Sequence, residues 1–382
     1  MMNNRFTKNK KSKQKLSSIL KNISFIHSNT KICLVGFIVI LLTLIFHPIV
    51  LAGGLNASEI TIPILTYHKF CQGPSPDPYT INIKRFRKQM LYLQEQNYEV
   101  ISVSDLLKCI HKNNFPAKPV IITIDDGYKS VYRLAYPVLK EFRYPATLYL
   151  YTNFINNGPE QLSWEEIIEM ISDDIEIGSH TVSHCNLLHK YSHESYMEYL
   201  KRINDELCQS KAILEKNTGV EIQSFAYPYG VYSQQIKTLA NYAGYQALLN
   251  VNFMNNSTPP DPYALNRQII PAECTVSQFD ALLNEKALKV HQIFPADGTI
   301  THNQSIKIGA ILNDQQIDAD SLELSISGSG GLDYCFKKEK QEISFKPTAP
   351  KLLRKKTWVV RIAARDKESG YQRKISWLFT VQ

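Results

Sequence analysis

The sequence lacks a Cys-x-x-Cys pair. Its seven cysteines, at 33, 71, 109, 185, 208, 274 and 335, are scattered without a motif. That excludes a cysteine-rich zinc site, and the spacings define no disulfide framework. Positive charge is missing where a nucleic-acid binder needs it. Of the 43 Lys and Arg residues, eight (Arg5, Lys8, Lys10, Lys11, Lys13, Lys15, Lys21 and Lys31) lie in residues 1–31, which carry no acid. The other 35 balance the 35 Asp and Glu, so the net charge of +8 belongs to the N-terminal stretch alone. A nucleic-acid surface requires a basic patch on the folded part, and none is implied.

Charge is absent altogether from Ile32 to Ala52, ICLVGFIVILLTLIFHPIVLA, interrupted only by His47 and Pro48 near its end. About 20 apolar residues cross a bilayer, and a basic flank stays in the cytoplasm. Residues 1–31 are therefore expected to be a cytoplasmic tail and 32–53 a transmembrane anchor. The remainder is expected outside the cytoplasm, tethered to the membrane. The alternative is a signal segment cleaved near Ala52, with secretion of the rest.

From residue 59 to 288 the chain alternates short apolar runs with helical patterns. This alternation implies βα units and a parallel sheet or barrel. Strands are expected at Thr61–Tyr67, Tyr98–Ser102, Val120–Asp125, Ala146–Tyr151, Ile175–Ser179, Phe225–Tyr227, Ala247–Leu249 and Leu265–Ile270. Helices are expected at Lys84–Gln96, Asp105–His111, Val131–Phe142 and His193–Asn217. Ser163 with Glu166 writes a capping box for a further helix.

Three constellations stand at strand ends. Val120 to Ile124 is β-branched throughout and stops at Asp125-Asp126-Gly127. Two carboxylates ending a buried strand need a metal, hydrogen bonds or a shared proton to compensate them. Alone, Asp-Asp-Gly also fits a solvated turn. His180 and His184 follow the next strand but one. They converge on one metal where the backbone turns helically. Thr181 and Val182 stand where a His-Glu-x-x-His protease motif needs glutamate, so that motif is excluded. One carboxylate and two imidazoles leave positions open for water and substrate. The third constellation, Phe225-Ala226-Tyr227-Pro228-Tyr229-Gly230, ends an apolar strand with aromatics suited to a sugar ring and with turn amides suited to an oxyanion.

IDDGY, GSHTVSH and FAYPYG, in this order and spacing, resemble the polysaccharide deacetylases (the NodB-homology group, carbohydrate esterase family four). PILTYHKF near residue 67 resembles the extracytoplasmic branch acting on poly-N-acetylglucosamine. The resemblance covers about residues 59–285. It implies a distorted (β/α) barrel and a divalent metal, foremost Zn²⁺, with Co²⁺ or Ni²⁺ as substitutes. It assigns Asp126, His180 and His184 as metal ligands and Asp125 as general base. Tyr229, with Tyr227 and Pro228, would form the substrate and oxyanion side. Two positions depart from the family pattern. Ala226 stands where an arginine often orients the base, and Leu265-Asn266-Arg267 stands where a Leu-x-His often supplies an acid. Arg267 is therefore expected to replace the arginine from a neighbouring strand, and His68 to serve as the acid or to support it.

Residues 291–382 read as short strands separated by turn clusters. They predict an all-β sandwich of immunoglobulin type, with Trp377 and Phe379 on one side of the last strand. The implied activity is N-deacetylation of an N-acetylated polysaccharide. An O-acetyl esterase and a decayed glycan- or wall-binding protein are the alternatives.

Overall fold

The structure is a computed structural model that describes residues 59–302, 306–327, 334–345 and 356–382. The expected tail and membrane segment (1–31 and 32–53) lie outside the described residues. Among the described residues no helix is long and apolar enough to cross a membrane.

Eight strands build the first sheet: β1 (Ile64–Tyr67), β2 (Glu99–Ile101), β3 (Pro119–Asp126), β4 (Ala146–Leu150), β5 (Ile175–Ser179), β6 (Ser224–Ala226), β7 (Ala247–Leu249) and β8 (Gln268–Ile269). They run in the order β7-β6-β5-β4-β3-β1-β8, with β2 also paired to β3. All these pairings are parallel. The near-continuous apolar strands are therefore buried on both faces, as parallel strands covered by helices must be. A parallel bridge between Leu249 and Leu265, just before β8, brings the two edges of the path together. The sheet curls into a distorted barrel, and every βα loop opens at one rim.

Local chemistry decides where the helices start. α1 (Ile83–Glu95) begins at Asn82, whose side chain accepts from the Lys84 amide. The helix expected from His193 instead starts at Tyr196 (α2, Tyr196–Thr218), because Ser195 and Glu198 form a capping box there. The run expected as one helix over 131–142 opens as a π turn, Val131–Ala135, before an α segment, Tyr136–Phe142. Pro137 follows that junction and has no N–H to continue the ladder.

The C-terminal region forms two sheets. The first contains β9 (Lys286–Ala287), β11 (Thr299–Thr301), β13 (Ile317–Ile326), β16 (Lys356–Asp366) and β17 (Gln372–Val381). The second contains β10 (Val290–Phe294), β12 (Gly309–Leu312), β14 (Tyr334–Lys337) and β15 (Glu342–Phe345). Trp358, Val360, Trp377 and Phe379 lie buried in the core between them. Trp377 and Phe379 thus share one face of the last strand. Both β9 and β11 pair parallel to β17, unlike the antiparallel sheets of an immunoglobulin sandwich.

Candidate active site

Most of the side chains of interest leave the C-terminal ends of strands at one rim, and Arg267 reaches them from the opposite end of its strand. His68 follows β1, Asp125 and Asp126 end β3, and His180 follows β5. Tyr227 follows β6, and Arg267 immediately precedes β8. His68, Asp125, Asp126, His180, His184 and Arg267 all line one cavity of about 460 Å³.

Asp126, His180 and His184 each offer one ligand atom, and these atoms lie within 4.8 Å of one another. The His184 Nε2 is 3.4 Å and the His180 Nε2 3.9 Å from Asp126 Oδ1. The two histidines do not converge through a helical turn, as their spacing suggested. The segment is a loop in which Thr181 (φ 74) and His184 (φ 57) adopt left-handed backbone. Two clamps hold it. The Thr181 hydroxyl accepts from the His184 amide at 2.9 Å. Glu206, on α2, accepts from the amides of Val182 (2.8 Å) and Ser183 (3.0 Å).

The tautomer of His180 follows from its second nitrogen. Nδ1 lies 2.7 Å from the carbonyl oxygen of Ala226. A carbonyl only accepts, so Nδ1 carries the proton and Nε2 presents its lone pair toward Asp126. Burial drives the pKa of His180 down to about 3, and burial likewise lowers that of His184. Both rings are therefore neutral, the form that ligates a metal. Burial, and next the charge of Asp125, push the Asp126 carboxyl up to about 7. A carboxylate so short of positive charge, beside two neutral imidazoles, fits a divalent cation.

Asp125 has the opposite electrostatics. Arg267 forks onto it, Nη1 to Oδ1 at 2.7 Å and Nη2 to Oδ2 at 2.8 Å. Both residues are almost fully buried. Burial opposes ionisation of Asp125, but the Arg267 guanidinium outweighs it and holds the carboxyl below its usual range. Arg267 also donates from Nε to the Asn250 carbonyl (3.2 Å) and from Nη1 to the Thr123 hydroxyl (3.3 Å). Its guanidinium carbon stands 5.4 Å from the ring centre of Tyr149. That ring has room because residue 178 is glycine: a Cβ there would come within 2.2 Å of the Tyr149 ring.

His68 is partly buried, and its Nδ1 is buried without a hydrogen-bond partner. Burial lowers its pKa, and Asp125 acts against that shift. Tyr229 holds φ 60 inside the turn Pro228–Gly230 and keeps its ring 65% exposed. The ring lies 4.7 Å from that of His184. Tyr227 is buried against Tyr232, and its hydroxyl is unpaired. Pro228 is not a wall of the cavity. It is buried in the turn, where its ring-locked φ sets the backbone that presents Tyr229.

Sequence reading missed several walls of this cavity. Tyr79, 51% exposed, packs its ring 5.5 Å from His68. Lys69 sits over the Tyr128 ring at 4.2 Å. Val359 and Leu378 reach in from β16 and β17. Lys69 and Tyr79 lie close in sequence to His68 and were within reach of a motif argument; the two β-domain residues carry no such signal.

Residues 112–248 match the polysaccharide deacetylase family. YxkH of Bacillus subtilis, a polysaccharide deacetylase by name, is 28% identical over 225 residues, 58% of this chain and 76% of that protein. A poly-beta-1,6-N-acetyl-D-glucosamine N-deacetylase of Staphylococcus aureus is 26% identical over 175 residues, 44% of this chain. That match spans 59% of the staphylococcal protein's length. Among solved structures, the Streptococcus pyogenes deacetylase PplD in complex with acetate superposes with a TM-score of 0.54 at 24% identity, and shows the shared fold. The superposition takes in 59% of this chain and 100% of PplD.

Proposed function

We propose that this chain, a relative of the polysaccharide deacetylases, is a metal-dependent hydrolase that removes N-acetyl groups from an N-acetylglucosamine-containing polysaccharide outside the cytoplasm. One observation carries the reading. A three-donor cluster, Asp126, His180 and His184, stands beside a carboxylate that an arginine keeps ionised. Asp126, His180 and His184 would hold a divalent cation, which would supply Lewis acidity to the attacking water and to the acetamide carbonyl.

The protein's own groups supply the rest. Asp125 accepts the proton of the attacking water, and Arg267 keeps it ionised and fixed in orientation. The amide of Tyr229 stabilises the oxyanion that develops on the carbonyl oxygen, with Tyr227 buttressing the turn. His68, in the imidazolium form that the charge of Asp125 favours, delivers a proton to the departing nitrogen, so that acetate and a free amine result. Tyr229 and Tyr79 offer exposed rings on which sugar faces pack. The relationship to the staphylococcal enzyme supports an N-acetylglucosamine polymer as substrate. The basic tail and apolar segment of residues 1–53 support a membrane anchor that keeps this site outside.

The test is acetate release from N-acetylglucosamine oligomers by the full chain, metal-stripped and after addition of Zn²⁺ or Co²⁺, with an O-acetylated polymer in parallel. Release restored by metal and lost in His180→Ala is the expected result. Release only from the O-acetylated polymer would replace the amide by an ester as substrate. Metal uptake without release from either would leave a binding protein.

A further inference from the structure

The barrel does not complete its own cavity. Strands β16 and β17 each send alternate residues in opposite directions, as strands do. Trp358, Val360, Trp377 and Phe379 enter the β-domain core. The residues between them face the barrel. Leu378 belongs to the barrel's hydrophobic cluster, with Val359 packed against it. Arg361 lies over the Phe253 ring at 5.1 Å. Lys374 pairs with Glu285 at 2.5 Å, and Glu285 accepts from Gln268 of β8 at 2.9 Å. Val359 and Leu378 are direct cross-strand partners, so they form one continuous apolar patch on the cavity wall.

That patch joins Val251, Phe253 and Ile269 of the barrel along the same cavity. Their place relative to the reacting groups is fixed by contacts. Val251 follows the residue whose carbonyl accepts from Arg267 Nε. The Phe253 amide donates to the Arg267 carbonyl at 3.1 Å. Ile269 lies two residues after Arg267, on the same face of the strand. On the other side, Gly230 approaches so closely that a Cβ there would stand 2.6 Å from the Val251 Cβ. The apolar wall thus spans from the arginine gripping Asp125 to the turn of Tyr229. Leu378 itself is anchored at both backbone atoms. Its amide donates to Asp297 at 3.0 Å, and its carbonyl accepts from Gly298 at 2.8 Å. Asp297 in turn accepts from the hydroxyl of Tyr232, three residues beyond Tyr229.

Resting on the deacetylase reading above, we propose that the β-domain supplies the acyl wall of the active site. Val359 and Leu378 close the pocket around the acetyl methyl and set the length of acyl chain accepted. In an N-acetylated sugar the methyl is the one group attached to the reacting carbonyl that has no hydrogen-bonding atom. It is the part of the substrate that an apolar wall beside Asp125 matches. The β-domain is then a specificity element rather than a spacer.

The test compares amine release from N-acetyl-, N-propionyl- and N-butyryl-glucosamine oligomers by the metal-loaded full chain and by Leu378→Ala, Val359→Ala and Val359→Phe. One methylene in an apolar pocket is worth roughly 10–200-fold in kcat/KM. The native chain should prefer acetyl to propionyl by about that factor. Leu378→Ala should shrink the preference by about tenfold, and Val359→Ala by less. Val359→Phe should sharpen the preference for acetyl. Leu378 is buried and its variant can lose the fold, so thermal melting accompanies each assay. Partly exposed Val359 keeps the test open in both directions. An active native chain whose acyl preference is unchanged in both Val359 variants would overturn the proposal. A native chain that releases no amine from any acyl oligomer would instead sink the deacetylase reading beneath it.

Discussion

The two rims of the barrel both hold buried polar groups and both hold a cavity, yet among the described residues only one gathers a cluster of metal-ligating side chains. The larger cavity, about 690 Å³, lies where β4, β5 and β6 begin, lined by Ser102, Ser104, Glu176 and Ser224 among others. Its polar atoms satisfy one another. Glu176 accepts from the Ser104 amide at 3.2 Å and from the hydroxyls of Ser104 and Thr147. At the opposite rim the cavity is smaller, but His68 Nδ1 and the Tyr227 hydroxyl lack partners, and Asp126 is left short of positive charge. Buried polar groups are ordinarily paired. Unmet demand, rather than cavity size, separates a site from a structural pocket.

Substitutions at the two rims can break this contrast. The largest effect is expected from Asp125→Asn. Losing a positioned general base costs roughly 10²–10⁴ in kcat, measured as acetate release, and leaving the buried Arg267 without its counter-ion costs about 3–5 kcal/mol of stability as well. A fall smaller than tenfold would remove Asp125 from the chemistry. Next comes Arg267→Met, which leaves a buried carboxylate unpaired. Breaking such a pair costs about 3–5 kcal/mol of stability, read by denaturant unfolding, along with activity. At the other rim Glu176→Gln should cost only about 1–3 kcal/mol of stability and leave kcat within about twofold, as distance from the reacting groups dictates. An activity loss there comparable to that of Asp125→Asn would erase the distinction between the rims.

The smallest effect sharpens the contact between barrel and β-domain. Burial raises the Asp297 carboxyl above its usual range, despite hydrogen bonds from Tyr232, Leu378 and Gly298. A carboxyl with a raised folded pKa binds its proton more tightly when folded. Its contribution to stability is greatest below the unfolded pKa and is lost as pH rises through the folded value. The native chain should therefore lose stability relative to Asp297→Asn as pH climbs from about 4. Parallel denaturation curves at several pH values read the difference, and a gap that widens in the other direction would reverse the assignment.

The barrel was legible because its strands advertise themselves. Val120 to Ile124 is apolar on both faces, and its abrupt end at two aspartates marks the rim. The histidine pair was legible from spacing, but its backbone was not. Between left-handed Thr181 and His184, the amides of Val182 and Ser183 are held by Glu206, more than twenty residues away, and no local pattern records that clamp. Arg267 could be named only by noticing what residue 226 lacks, and its guanidinium does reach Asp125. Ala226 contributes its carbonyl to His180, a backbone role that side-chain identity does not reveal. The contact face of the β-domain was the least legible feature. Alternation in β16 and β17 shows which residues leave the β-domain core, but not that another domain covers them.

The commitments of Arg267 bear on how the reaction would finish. Four of its five N–H donors are engaged: Nε with Asn250, Nη1 with Thr123 and Asp125, and Nη2 with Asp125. Acetate is a small anion that a free guanidinium would retain. Here the guanidinium has almost nothing left to offer it, and the residue is fully buried, so it plugs the floor. Any inhibition by acetate should accordingly come from a cation held by Asp126, His180 and His184 and not from Arg267.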